Sequence, residues 1–573
     1  MNRLNETPPN IFYDINFDHY VVQYQGNILE DLSRFPDYYA TIINERYAII
    51  SVKKDIEINI TSPFFPTIVY VKPAEMYTLQ EISPIEATQV DFLQLNLPLS
   101  LTGRGVNVAI IDSGIDYLSQ EFIDSNGQTR IELIWDMTIT TGNINSDINV
   151  PLGSIYTKDK IQEAINASNE GKSPYDIVPT RDILGHGTSM AGIVGASGKN
   201  PTLKGIAPEC NFIVIKLIED FSFEAQFNIE VPVFNVTVIF AALEFLNRYS
   251  LRFYKPLAIC FPLGTNLGNH DGTDIIDQYI DSICSKTGVA LITGSGNERS
   301  EGEHTSGIIP EAGINKEIEI DVSPEQKDLW AIEIWSDAPN ILSIDVISPS
   351  GENTGPIRPA INVTETYNFL FEKTKMKINF YMPEENSGDQ LIRIRIYKLQ
   401  PGIWRIRITG EYILSGIFNA WMPQRGLTVG GTRFMPSDIY GTLTNPSNTA
   451  FIITAAAYNQ NNNNIVNYSG VGFSDNTLNG VTVAAGGVNA VTVAPNNTTT
   501  IINGTSVSAA IVTGAVALLF QWGIVDGNDS SMYSQTIKTY LARGTNKRAG
   551  DIYPNAHWGY GILNIFSMFQ NMR

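Results

Sequence analysis

The chain has 573 residues, 43% of them hydrophobic and 17% charged, with a formal net charge of -21. That length exceeds one ordinary core and implies two or three domains. So acidic a chain is a poor partner for nucleic acid, whose phosphates want Lys and Arg, and for anionic membranes.

The N-terminal MNRLNETPPN lacks the apolar core of a signal peptide, and no uninterrupted apolar run is long enough to span a bilayer. The expectation is a soluble protein, synthesised in the cytoplasm without general secretory export and without a membrane span. Residues 1–80 predict a small α+β unit. YVVQYQ (20–25) is a strand and ILEDLSRF (28–35) a helix that Pro36 ends. YATIINERYAIISV (39–52) is a pair of strands around NER, and TIVYVKP (67–73) a further strand.

The rhythm then changes. GVNVAIIDSGID (105–116) is an apolar run ending in Asp and Gly, as a buried parallel strand does. NFIVIKLI (211–218), PLAICF (256–261) and GVALITGSGN (288–297) continue the pattern. Helical stretches at 233–249 and 273–287 separate them. Alternating strands and helices imply an α/β fold, a parallel sheet with helices on both faces, whose ligands sit at the carboxyl ends of the strands. Cys210, Cys260 and Cys284 lie in or beside these runs and are expected to be buried free thiols. From 310 to 424 the alternation turns to period two, as in LIRIRIY (391–397) and IWRIRIT (403–409). This predicts an inserted antiparallel β-sandwich. The α/β pattern resumes at AFIITAAAY (450–458).

Three polar residues stand in Gly-rich surroundings: Asp112 in AIIDSGID, His186 in LGHGTSMAGIVG and Ser506 in NGTSVSAA. Singly, each has a plainer use: Asp112 as a turn cap, His186 as a satisfied core histidine, Ser506 as a helix N-cap. Together they supply what a serine nucleophile needs, an imidazole to take its proton and a carboxylate to hold the imidazole. Asn297, in ITGSGNE, ends another strand, where its amide is placed to donate to an oxyanion beside the Ser506 N–H. Its plainer use is as a turn residue. The order Asp, His, Ser also argues against an α/β-hydrolase esterase, which runs Ser, Asp, His.

These four motifs resemble the signature segments of the subtilisin-like serine proteases, and the resemblance covers most of residues 81–573. It implies a three-layer α/β catalytic domain and peptide-bond hydrolysis. His186 would be general base and acid, Ser506 the nucleophile, Asp112 the orienting carboxylate and Asn297 the oxyanion donor. Pro262, Leu263 and Gly264 in FPLGTN stand where the family binds substrate. Pro262 there keeps a carbonyl but loses an N–H. Ala510 replaces a usual Pro, and Ser189 a common His. No cofactor and no metal is called for: NHDGTDIIDQYID lacks the ligand spacing of a calcium loop and suits a helix N-terminus.

The long spacing between Asp112 and His186, the β-rich insertion and FPLGTNLGNHDGTDIIDQYID are similar to the germination-associated Csp proteases of clostridia. That likeness implies a prodomain (1–80) and a jelly-roll insertion (310–424) in a catalytic domain (81–573). It also implies a prodomain that stays bound after self-cleavage and a spore-associated role on a precursor protein. Mature domains of such proteases start shortly before the triad Asp, which puts the cut between Gln80 and Glu81. Tyr77-Thr78-Leu79-Gln80 would then lie in the cleft as a strand, with Tyr77 in an outer pocket and Gln80 beside Ser506. An ordinary linker is the plainer alternative. Some members are non-catalytic regulators, so the rival function is a binding pseudoprotease held inactive by its prodomain.

Overall fold

The computed structural model describes the chain apart from residues 1–6, 9, 55–64, 73–74, 80–87, 91–92, 95–99, 141–147, 362, 475–479 and 573. Gln80 and Glu81 thus lie outside the described residues.

The apolar runs assemble into one large sheet. From one edge its strands are Thr545–Asn546, Ile562–Leu563, Val483–Gly486, Ile453–Asn459, Val289–Gly294, Leu257–Cys260, Asn107–Asp112, Asn211–Lys216, Ile131–Asp136 and Ser154–Thr157. Pairing is parallel except at the two edges and at the short strand Asn464–Ile465. The strands are apolar throughout because both faces are covered. Val108 and Ile110 face one core, with the helices His186–Gly195 and Thr505–Phe520. Ala109 and Ile111 face the other, with Val236–Phe253 and Ile275–Cys284. The chain adds strands on one side of Asn107–Asp112 and then crosses to Leu257–Cys260 on the other. Asp112 therefore ends the strand at the switch point, where open α/β sheets hold their ligands.

Among the described residues one helical stretch, Thr505–Val525, is long and apolar enough to cross a membrane; it is buried inside the fold as a core helix. The sequence expectation of no such run underrated it. All three cysteines are free and buried.

The N-terminal segment forms an antiparallel sheet ordered Tyr38–Ile42, Tyr47–Lys53, Phe17–Tyr24, Ile68–Val71, with a short helix Ile28–Leu32 on one face. Its other face lies against the helices Val236–Phe253 and Ile275–Cys284: the Tyr47 ring is 5.6 Å from Phe240 and 5.7 Å from Tyr279.

The β-rich segment runs wider than 310–424. His304–Ile308 pairs with Ile417–Trp421, and Arg433–Met435 pairs with Asn315–Val322. Two antiparallel sheets share one apolar core that includes Ile320, Ile334, Ile394, Trp404 and Ile406. The flanking strands were missed because HTSGI and RFM are too short to show a period.

Candidate active site

Asp112 and His186 meet in the core, 0% and 3% exposed. His186 Nδ1 lies 2.9 Å from Asp112 Oδ1 and 2.8 Å from Oδ2. The approach depends on Gly187, where a Cβ would fall 2.2 Å from the Gly114 carbonyl oxygen and 3.1 Å from Asp112 Cβ. His186 opens its helix behind Gly185, which takes φ +80°.

A second carboxylate, Asp182, braces this pair. It accepts from Ser113 Oγ and Gly185 N, each at 2.8 Å, and from Thr188 N at 2.8 Å and Thr188 Oγ1 at 2.6 Å. Ser113 N in turn donates to Asp112 Oδ1 at 2.7 Å. Sequence reasoning passed over Asp182, although its place four residues before His186 was the available signal.

Ser506 is the second residue of the helix Thr505–Phe520, whose N-cap is Gly504 at φ +140°. It therefore does not cap the helix. Its side chain is buried and its Oγ has no hydrogen-bond partner. The Ser506 and His186 helices pack on each other within one core. The structure thus joins Asp112 to His186, while Ser506 Oγ makes no hydrogen bond to His186.

Asn297 follows the strand Val289–Gly294 and reaches the start of the Ser506 helix. Its Oδ1 accepts from Thr505 N and Thr505 Oγ1, each at 3.2 Å. With the oxygen so fixed, the amide N–H₂ is the end left to donate. A helix N-terminus with Asn297 beside it favours negative charge at this point.

The strand Met76–Leu79 lies between two short strands. On one side Phe234 and Asn235 pair antiparallel with Tyr77 and Met76. On the other, Leu263 and Gly264 pair antiparallel with Leu79 and Thr78. Pro262 is buried just before that second edge. Tyr77 is fully buried, its ring 6.1 Å from Phe261. Gln424, buried between the strands Ile417–Trp421 and Arg433–Met435, bridges this strand to its neighbour. Its Nε2 donates to the Met76 carbonyl at 2.8 Å and to the Gly264 carbonyl at 3.3 Å, and its Oε1 accepts from Asn266 N at 3.3 Å. Nothing in the sequence singled out Gln424.

The segment just before this strand carries charge into the interior. Lys72, 0% exposed, places Nζ 2.6 Å from Glu75 Oε1 and 2.7 Å from Asp274 Oδ2. Tyr70 donates to Glu384 at 3.2 Å, and Gly268 N to Glu333 at 2.9 Å; Glu333 also pairs with Arg393. Burial pushes the Glu75 carboxyl up to about 8, against the pull of Lys72. Burial also raises Asp277, with Asp274 adding to it, while Asp277 accepts from Asp274 N at the start of the helix Ile275–Cys284. No group of metal-ligating side chains occurs among the described residues.

A profile of the subtilase family, peptidase S8, matches residues 103–231 and 439–561, the two stretches that hold Asp112 and His186, and Ser506. The solved structure of the Clostridium perfringens CspB protease superimposes with a TM-score of 0.75 at 28% identity, covering 84% of this chain and 97% of that one. The stretches 103–231 and 439–561 carry a subtilase domain. The chain is a subtilisin-like serine peptidase. Another solved structure, the epidermin leader peptide processing serine protease (EpiP) from Staphylococcus aureus, gives a TM-score of 0.47 at 13% identity, covering 96% of this chain and 99% of that one. No curated protein matches in sequence. Asn297 and the β-rich segment fall between the two stretches of this subtilase that the profile matches.

Proposed function

We propose that this subtilase is a self-processing endopeptidase. Ser506 attacks the scissile carbonyl, His186 takes and returns the proton, and Asp112 steadies the imidazolium. The Ser506 N–H and the Asn297 amide hold the oxyanion. Residues 1–80 form a prodomain cut between Gln80 and Glu81. The β-rich segment is a jelly-roll that packs on the catalytic domain. By its likeness to CspB, the enzyme acts on a precursor protein in spore germination.

The observation that carries this reading is the strand Met76–Leu79, hydrogen-bonded on both edges and running straight up to residue 80. A substrate strand would lie there, its backbone supplying affinity and its side chains specificity. The same observation favours a bound, inhibitory prodomain, because the strand fills the cleft that a second substrate needs. Wild type and Ser506→Ala expressed side by side test it: two fragments from wild type and one intact chain from the variant are expected. Fragments from both would remove Ser506 from the chemistry.

A further inference from the structure

The Met76 side chain is 3% exposed and lies in an apolar cluster of its own, with Phe223, Phe227, Val233 and Leu427. Trp330 packs on that cluster edge-on, 5.3 Å from both Phe223 and Phe227, which are 4.7 Å from each other. Phe223 and Phe227 belong to the helix Phe221–Phe227 of the α/β unit. Trp330 and Leu427 come from the β-rich segment. Gln424, three residues before Leu427, holds the Met76 backbone carbonyl. A cavity of about 510 Å³ opens next to Met76, bordered by Trp330, Arg395 and Tyr397.

We infer that the β-rich segment supplies half of an extra substrate subsite, an aromatic cage that selects a large apolar side chain far upstream of the scissile bond. The inference rests on the cut after Gln80. Counting back through Gln80, Leu79, Thr78 and Tyr77, the caged residue is the fifth. Gln424 reads the backbone of that residue and the cage reads its side chain, the division of labour expected of an added strand. The aromatic walls offer shape and polarisable surface to a thioether or a branched aliphatic chain. A carboxylate inside the cage would lose its water among Phe223, Phe227, Val233 and Leu427, although Arg395 and Lys54 border the adjoining cavity. The adjoining cavity leaves room for a side chain longer than Met. The protein substrate is therefore one presented as an extended strand, with an aromatic residue at the position of Tyr77 and a bulky apolar one just before it.

Self-processing of the full chain tests this, followed by pulse-chase on the folded, protease-resistant fraction. Met76→Leu should be processed at the wild-type rate, and Met76→Ala about tenfold slower or more, the scale set by losing most of a buried methionine's contact. Trp330 is only partly buried, so Trp330→Ala keeps the test open if a Met76 variant fails to fold. In that background the penalty of Met76→Ala should shrink, because both changes empty the same cage. Wild-type processing of Met76→Ala, or penalties that simply add, would overturn the inference. An uncleaved wild-type chain would overturn the protease reading as well. Equal rates with cleavage intact would overturn the cage alone.

Discussion

At one end of the cleft, Asp112, His186 and Ser506 come from three short Gly-rich motifs and lie among backbone groups. At the other end, Lys72, Glu75, Asp274, Glu333 and Arg393 come from four separate stretches and lie among one another, out of water. The first end is small and suited to moving one proton. The second brings the N-terminal segment, the start of the helix Ile275–Cys284 and the β-rich segment to one point and fills it with ionisable groups. Chemistry needs a few side chains held closely. Retention of a segment needs many contacts that must break together. Under the function proposed above, the contrast would let a prodomain be cut at one end and still be gripped at the other.

Removing Lys72 should disturb the gripping end most. Lys72→Met leaves Glu75 and Asp274 facing each other without their cation. Breaking a buried ion pair from one side costs about 3–5 kcal/mol. Urea unfolding of the Ser506→Ala and Lys72→Met/Ser506→Ala chains would measure it, and the second should lose most of that stability. An unchanged midpoint would mean that water reaches Lys72 and that the two ends do not differ as described.

Asn297→Ala should act at the reacting end alone. Loss of one oxyanion donor lowers turnover by about 10²–10³-fold, the magnitude known for that asparagine in subtilisin itself. Processing should slow by that factor while the melting temperature holds. A lower melting temperature with unchanged processing would make Asn297 a turn residue that merely steadies Thr505.

The pH dependence is smaller and belongs to the gripping end. The Glu75 carboxyl has an ordinary value of 4.5 and sits at about 8 in the assembly, through burial. The assembly therefore binds that proton more tightly than the separated segment does. Its contribution is complete below pH 4.5 and is lost as the pH rises through about 8. Lys72 does not offset this loss: burial opposes its charge, but Asp274 and Glu75 outweigh burial and hold its pKa above the ordinary value. After processing, the N-terminal fragment should be held at least about tenfold more weakly at pH 9 than at pH 5. Size-exclusion of the processed protein at the two values would read it. Equal co-elution at both would place the proton elsewhere.

The two ends also differ in how far the sequence discloses them. Asp112 could be placed at a strand end because AIID is apolar up to its last residue, and that strand runs Asn107–Asp112. The pairing of Tyr38–Ile42 with Tyr47–Lys53 followed from β-branched and aromatic runs either side of NER. Lys72 gave no such signal. A lysine after a strand looks the same whether it is solvated or buried, and only the fold brings Asp274 to it. Gln424 and Trp330 were hidden for the same reason. Trp330 lies in a strand whose alternation showed a wet face, and part of that face is covered by Met76 and the helix Phe221–Phe227; Gln424 lies past the end of the strand Ile417–Trp421. Asp182 was within reach of local reasoning, since its three partners, Ser113, Gly185 and Thr188, all lie in the motifs already singled out.

The central claim is that Ser506 cuts this chain after Gln80 and that the released segment stays bound. Intact-mass measurement of purified wild type, under native and then denaturing conditions, tests it most directly. The account predicts one native species that resolves on denaturation into residues 1–80 and 81–573, and a single undivided mass for Ser506→Ala. A wild-type chain that remains whole on denaturation, or a Ser506→Ala chain that divides at the same bond, would contradict it.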